Sequence, residues 1–283
     1  MKWRCTTPRI WNGSASISVE NPLHGQPRNF FETASLTHRR ETESSENGKV
    51  RPLALHRVRV GINFGNVLLA NRDVSGSPRG IAVDLALELG RRAGLPVELV
   101  AYNTAGTMAD GAKAGAWDVA FLAADPGRSE AITFTAPYLE IPTTYLVWDS
   151  SAFRTIADVD SENARVCVSE KSAYDLFLTR NLKHAVLVRT PGVDASVDLF
   201  FSEKLDALAG LKPLLIDIAE KNPRTRVMDG SFTSVQQAVG ISKDQDAAFV
   251  AFVREFIKDV KRSGFVREVM DRNGVRGLEV ADK

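Results

Sequence analysis

The chain has 283 residues, 44% of them hydrophobic and 25% charged, with 36 basic against 35 acidic side chains and a formal net charge of +1. These proportions suit a globular protein of one large domain or two modest ones, and a balance so close to neutral gives no electrostatic footprint for nucleic acid. No stretch approaches the ~18–20 continuous apolar residues of a membrane-spanning helix.

Residues 1–55 carry Pro8, Pro22 and Pro27, scattered Ser, Thr and Asn, and a polar run from His38 to Glu46, with no sustained apolar period. That composition reads as a disordered N-terminal extension. A secretory signal needs an apolar core of about 7–15 residues, and none is visible in the tail; either the biological start differs from Met1 or the protein stays inside the cell. Cys5 falls in this tail and Cys167 in a strand-like segment, so no structural disulfide is expected.

Order is expected from His56, where alternating Val58, Val60 and Ile62 predict a strand. Asn63 to Asn66 then reads as a loop. A helical pattern runs through Val83, Leu85, Leu87 and Leu89 to Ala93, stopped by Gly94 and Pro96. Pro96 to Val100 predicts the next strand and Thr107 to Ala114 the next helix. Val119 to Ala123 is a continuous apolar run of buried-strand type, and it leads into a turn on Asp125, Pro126 and Gly127 that delivers Arg128. In open α/β sheets ligands bind at the carboxyl ends of strands, and the arginine fork matches a carboxylate. Arg128 is therefore the leading candidate to recognise a small anion; a surface pairing with Asp125 or Glu130 is its ordinary alternative.

Thr143 to Trp148 predicts a strand leaving this unit. The same alternation repeats beyond it, with strands at 166–168, 185–188 and 205–208, helices near 173–181, 194–202 and 212–221, and strands at 226–228 and 236–241. A long helix from Asp246 to Arg262, with Phe249, Phe252, Val253, Phe256 and Val260 on one face, and a shorter one from Phe265 to Arg272 complete the chain. Strands alternating with crossover helices predict an α/β fold with parallel sheets.

Catalytic motifs are absent: there is no P-loop, dinucleotide fingerprint or nucleophile elbow, and His24, His38, His56 and His184 lack metal-ligand spacing. Trp117 and Tyr138 sit beside apolar runs and read as packing.

In order and spacing, the strings Val58–Gly61, Gly80–Leu85, Gly115–Asp118, Arg128, Phe134–Tyr138, Ser169–Tyr174 and Leu205–Asp206 resemble a family 3 bacterial solute-binding protein over residues 56 to 275. The resemblance implies a two-lobed, type II periplasmic-binding-protein fold whose cleft closes on ligand. Its first lobe would take residues 56–147 plus 233–283 and its second 148–232. It further implies a non-enzymatic, monomeric and periplasmic protein, without cofactor, that delivers an amino acid or related anion to an ABC transporter permease. Arg128 would grip the ligand carboxylate. Ser172, Ala173 and Tyr174 would meet the same ligand at a helix N-terminus, where Ser172 and Asp175 also form an ordinary capping pattern.

Asn66 (with Asn63) would offer side-chain amides, although turn chemistry explains these residues equally well. Phe64 would replace the family's aromatic platform, missing between Tyr102 and Gly106, or simply pack beneath its loop. Ala120, Ala123 and Ala124 stand where the family has hydroxyls, and the segment between Asp118 and Arg128 is short. No acid follows Asp206 to pair with a ligand ammonium. Lys212 would favour a dicarboxylate or other anion if it faced the cleft; otherwise it is a solvated lysine opening a helix. The same fold also carries cyclohexadienyl-type dehydratases, for which Asp125 or Glu140 would be the acid.

Overall fold

A computed structural model describes residues 16–18 and 55–282. Of the extension read over residues 1–55, residues 1–15 and 19–54 lie outside the described residues, Cys5 among them. Within it, Ser16–Ser18 (β1) pairs antiparallel with Glu98–Val100, so this short piece is a strand at the sheet edge.

The ordered chain continues as β2 (Val58–Asn63), a hairpin of β3 (Asn71–Arg72) and β4 (Pro78–Arg79), α1 (Ile81–Ala93), β5 (Val97–Tyr102), α2 (Ala105–Lys113), β6 (Val119–Ala123), β7 (Ile132–Phe134) and β8 (Leu139–Trp148). It then forms β9 (Arg165–Ser169), α3 (Ala173–Asn181), β10 (Val186–Thr190), α4 (Val193–Ser202), β11 (Ala207–Leu211), α5 (Lys212–Lys221) and β12 (Thr225–Val227). The last elements are β13 (Thr233–Ser242), α6 (Ala247–Arg262), α7 (Phe265–Arg272) and β14 (Glu279–Val280). Among the described residues no helix is long and apolar enough to cross a membrane.

Local chemistry accounts for these boundaries. Gly94 ends α1 in the left-handed conformation at φ 67°, returning its N–H to the Arg91 and Gly90 carbonyls. Thr104 caps α2 by accepting from the Thr107 N–H, and Asp246 caps α6 by accepting from the Phe249 N–H. All five residues of β6 are buried, as expected of a strand covered on both faces. On α6 the buried stripe is Phe249, Val253, Phe256, Ile257 and Val260, with Phe252 only partly buried beside it.

Two parallel sets flank an antiparallel centre. Strands β5, β2 and β6 run parallel on one side, and β11, β9 and β10 on the other. Between them stand the ten-residue strands β8 and β13. The first half of β8 pairs with β13 (Leu139 opposite Gln237, Thr143 opposite Thr233), and its second half pairs with β11 (Thr143 opposite Leu211, Val147 opposite Ala207). Further along, β13 leaves β8 and pairs with β6 from Gln237 to Ile241. The two long strands thus carry the chain between two lobes, and the carboxyl ends of β6 and β9 face a common cleft.

Candidate functional site

The first-lobe wall of the cleft is built at the end of β6. Asp125, extended and 6% exposed, accepts from the Gly127 N–H and starts a single 3-10 turn over Pro126–Arg128. Pro126 presets the turn, and the turn swings Arg128 back toward the strand it left. Arg128 as a whole is also only 6% exposed. Nη1 donates to the Ala123 carbonyl and Nη2 to the Lys171 carbonyl, both at 2.8 Å. The second of these bonds crosses to the other lobe. Burial pushes the Arg128 pKa down to about 10, with Asp125 and Asp110 opposing that shift. The side chain therefore stays a cation at neutral pH, and among the described residues no carboxylate forms an ion pair with it.

The second-lobe wall follows β9. Ser172 caps α3, its Oγ accepting from the Asp175 N–H at 3.1 Å. Ser172, Ala173 and Tyr174 all line the cleft with Ser169. The Tyr174 hydroxyl is pushed up to about 12 by burial, partly offset by the Ser172 and Ser169 hydroxyls, so it is a neutral donor across the physiological range. Asn66 and Asn63 line the cleft from the first lobe. Asn63 Oδ1 accepts from the Gly65 N–H, whereas the buried Asn66 Oδ1 has no hydrogen-bond partner among the described residues.

Three contacts bridge the lobes at the lip. The Asp125 carboxylate takes two bonds from Arg180 on α3, the shorter at 2.8 Å. Lys171 Nζ meets Asp110 of α2 at 2.8 Å. The Lys171 carbonyl receives Arg128.

Two expected site residues stand elsewhere. Phe64 is not in the cleft lining; it packs partly on the core with the Arg72 guanidinium 4.4 Å above its ring, because the loop after β2 turns the ring toward the β3–β4 hairpin rather than the cleft. Lys212 opens α5 outside the cleft, and its nearest acceptor, the Gly230 carbonyl, is 3.5 Å away. The candidate acids Asp125 and Glu140 also lie outside the lining; Glu140 stands on β8 opposite Gln236 and Glu279. Trp117 and Tyr138 are fully buried, Trp117 with its indole N–H on the Met108 carbonyl.

Of Gln236 and Gln237, which open a strand near the lobe crossover where one could reach the cleft, Gln237 does so and is buried there. Sequence reading missed other parts of the site. Asn103 and Thr104 also contribute, as does an apolar wall of the second lobe that includes Leu208, Leu211, Leu214 and Leu215. A signal existed for Arg180, which lies two helical turns after Ala173 and so shares its face of α3. Among the described residues that line the cleft Arg128 is the one charged side chain, with no Asp, Glu, His, Lys or Cys. No group of three or more potential metal-ligating side chains forms anywhere in the described residues.

Residues 58–274 match the model of the family described as bacterial extracellular solute-binding proteins, family 3. No curated protein matches the chain. Among solved structures, the solute receptor for L-cysteine of Neisseria gonorrhoeae superposes with a TM-score of 0.68 at 21% identity, over 78% of this chain and 92% of that one. The amino acid ABC transporter substrate-binding protein AbpA from Streptococcus pneumoniae, bound to L-arginine, gives 0.66 at 19% identity, over 78% and 97%. The ancestral amino acid-binding protein AncCDT-1, a precursor of cyclohexadienyl dehydratase, gives 0.65 at 21%, over 77% and 95%. At these identities the likeness establishes the two-lobed fold.

Proposed function

Because the chain belongs to family 3 of the bacterial extracellular solute-binding proteins, we propose that it captures a small carboxylate-bearing solute, an amino acid or a related organic anion, between its lobes and presents it to the permease of an ABC importer. We place the change of lobe at Thr143 and Thr233, where β8 exchanges β13 for β11. The family description puts its members outside the cytoplasm, and we extend that setting to this chain, acting as a monomer.

The observation that carries this reading is the buried, carboxylate-free Arg128 cation in the cleft wall. A charge-assisted bond to a ligand carboxylate contributes about 1.5–3 kcal/mol, while micromolar affinity requires about 8 kcal/mol. The Ser172 cap, the Tyr174 hydroxyl and the apolar wall must add the rest as the lobes close. Capture rather than turnover is favoured by the lining, which among the described residues offers neither a carboxylate nor an imidazole for acid–base work.

Titration calorimetry against amino acids, monocarboxylates and dicarboxylates tests the proposal. At least one carboxylate should bind in the micromolar range or tighter, and Arg128→Ala should weaken it by at least tenfold while leaving the far-UV circular dichroism unchanged. Unaltered affinity in that variant removes Arg128 from the site. Steady product formation from prephenate or arogenate removes the capture reading.

A further inference from the structure

We infer that the solute is a monocarboxylate whose other polar groups are uncharged and whose far end is aliphatic, a branched-chain 2-hydroxy acid being the class that fits. This deepens the capture reading above and rests on it.

The charge inventory of the cleft drives the inference. Among the described residues Arg128 is the one charged side chain in the lining, so these residues present a single positive charge and no negative one. A carboxylate neutralises it: two guanidinium N–H groups are held by the Ala123 and Lys171 carbonyls, and the others remain for the ligand. An α-ammonium would bring a second cation into the same enclosed space. Of the carboxylates beside the cleft, Asp125 is engaged by Arg180, Asp110 by Lys171 and Asp175 by Arg189, while Glu130 stands in a neighbouring cavity outside the lining. Freeing one would break a contact that holds the lobes together or braces α3. A buried ammonium without a counter-ion is strongly disfavoured. A second carboxylate would face the same difficulty with opposite sign, since no further cation lines the cleft.

What the cleft offers beyond Arg128 is neutral. Asn66 Oδ1 is buried in this wall without a donor, and an orphaned acceptor of that kind is satisfied by a hydroxyl. On the second-lobe side the lining is aliphatic, with Leu211 and Leu214 packed in one buried cluster and Val197, Leu208, Leu215 and Ile218 in another, surroundings that suit a branched hydrocarbon end.

The test uses ligands sharing one carbon skeleton, titrated into the full chain by calorimetry: 2-hydroxy-4-methylpentanoate, 4-methylpentanoate and leucine, with succinate and arginine as charged controls. The hydroxy acid should bind at least tenfold more tightly than leucine, and more tightly than 4-methylpentanoate through its hydroxyl. Equal or tighter binding of leucine, succinate or arginine overturns the inference but leaves carboxylate capture standing; no binding by any of the five overturns both. Asn66→Asp gives a second readout by placing a negative charge in the wall. It should shift the hydroxy acid to leucine affinity ratio at least fivefold toward leucine, and an unchanged ratio in a variant with wild-type melting removes Asn66 from the site.

Discussion

Gly106 allows the closing movement to be tested without touching any group that meets the ligand. It is the second residue of α2 in the first lobe, buried, and a Cβ built on it would stand 2.8 Å from Lys171 Cβ and 3.2 Å from Lys171 Cδ, across the lip of the cleft. Lys171 cannot step aside easily. Its backbone is in the left-handed region at φ 55°, its N–H is bound to Asp175 Oδ2 at 2.8 Å, and its carbonyl holds Arg128. Overpacking of this kind is unfavourable by about 1–3 kcal/mol, and opening the lobes relieves it completely. The penalty therefore falls on the closed state alone. Since apparent affinity scales with the population able to close on ligand, Gly106→Ala should raise Kd by about 5- to 150-fold, and Gly106→Leu by more.

The sign of the stability change separates this mechanism from simple damage. Alanine is favoured over glycine in a helix by up to about 1 kcal/mol, and that gain applies to open and closed forms alike. Gly106→Ala should therefore melt at or above the wild-type temperature without ligand while binding the best carboxylate of the titration panel more weakly. Small-angle scattering at saturating ligand should show a larger radius of gyration in Gly106→Leu than in wild type. If Gly106→Leu retains affinity within twofold and contracts normally, the two lobes do not meet at Gly106 and Lys171 in the bound state.

Two further outcomes concern stability. Tyr138 is fully buried and its hydroxyl has no partner among the described residues; an unsatisfied buried hydroxyl is unfavourable by about 1–3 kcal/mol, so Tyr138→Phe should raise the melting temperature by about 2–4 °C or more, and a fall refutes the orphan assignment. The Asp160 carboxyl is held below the usual carboxylate range: burial works to raise it, but the N–H groups of Ala185, His184 and Lys183 and the His184 charge together outweigh that influence. A depressed acid contributes stability that is present above its unfolded pKa and is lost as pH falls through the lower folded value. Asp160→Asn should therefore melt below wild type at neutral pH, by about 1 kcal/mol or less given its exposure, and the gap should narrow as pH falls below the ordinary aspartate value of about 4; a gap that stays constant as the acid range is entered refutes the assignment.

Most of the architecture was legible because its signals are local and periodic. The apolar run at Val119 to Ala123, the Gly94 stop and the stripe on α6 each depend on neighbours a few residues away, and each appears where its pattern put it, with ends displaced by one or two residues. The strand read at Thr143 to Trp148 begins earlier, at Leu139, because Pro142 lies opposite Ser234 inside an antiparallel pairing that no local pattern announces. Strand β7 and the β3–β4 hairpin were likewise invisible, being two or three residues long and fixed by their partners. Arg128 and the Ser172 cap were legible for a related reason: a turn after a buried strand and a capping pattern are written in sequence order. The aliphatic wall, the choice of Gln237 over Gln236 and the Asp125–Arg180 pair depend on which faces meet across the cleft, and that is a property of the closed pair of lobes.

On the proposed reading, the Arg128–Lys171 bond would couple recognition to closure. With the lobes in contact the guanidinium is buried, with two carbonyl acceptors but no ion-pair partner among the described residues, and burial lowers its pKa to about 10, a penalty against the charged form. Without ligand that penalty opposes closing, and the ion pairs at the lip, Asp125 with Arg180 and Asp110 with Lys171, offset only part of it because Arg180, Lys171 and Asp110 are substantially exposed. A carboxylate beside Arg128 removes the penalty in the closed form and gains far less in the open form, where water already solvates the cation. The difference between those two interactions is what a ligand needs to shift the lobes toward closure. A neutral solute of the same shape has no such difference to offer, so on the proposed reading the anion would act as the closing signal as well as the cargo.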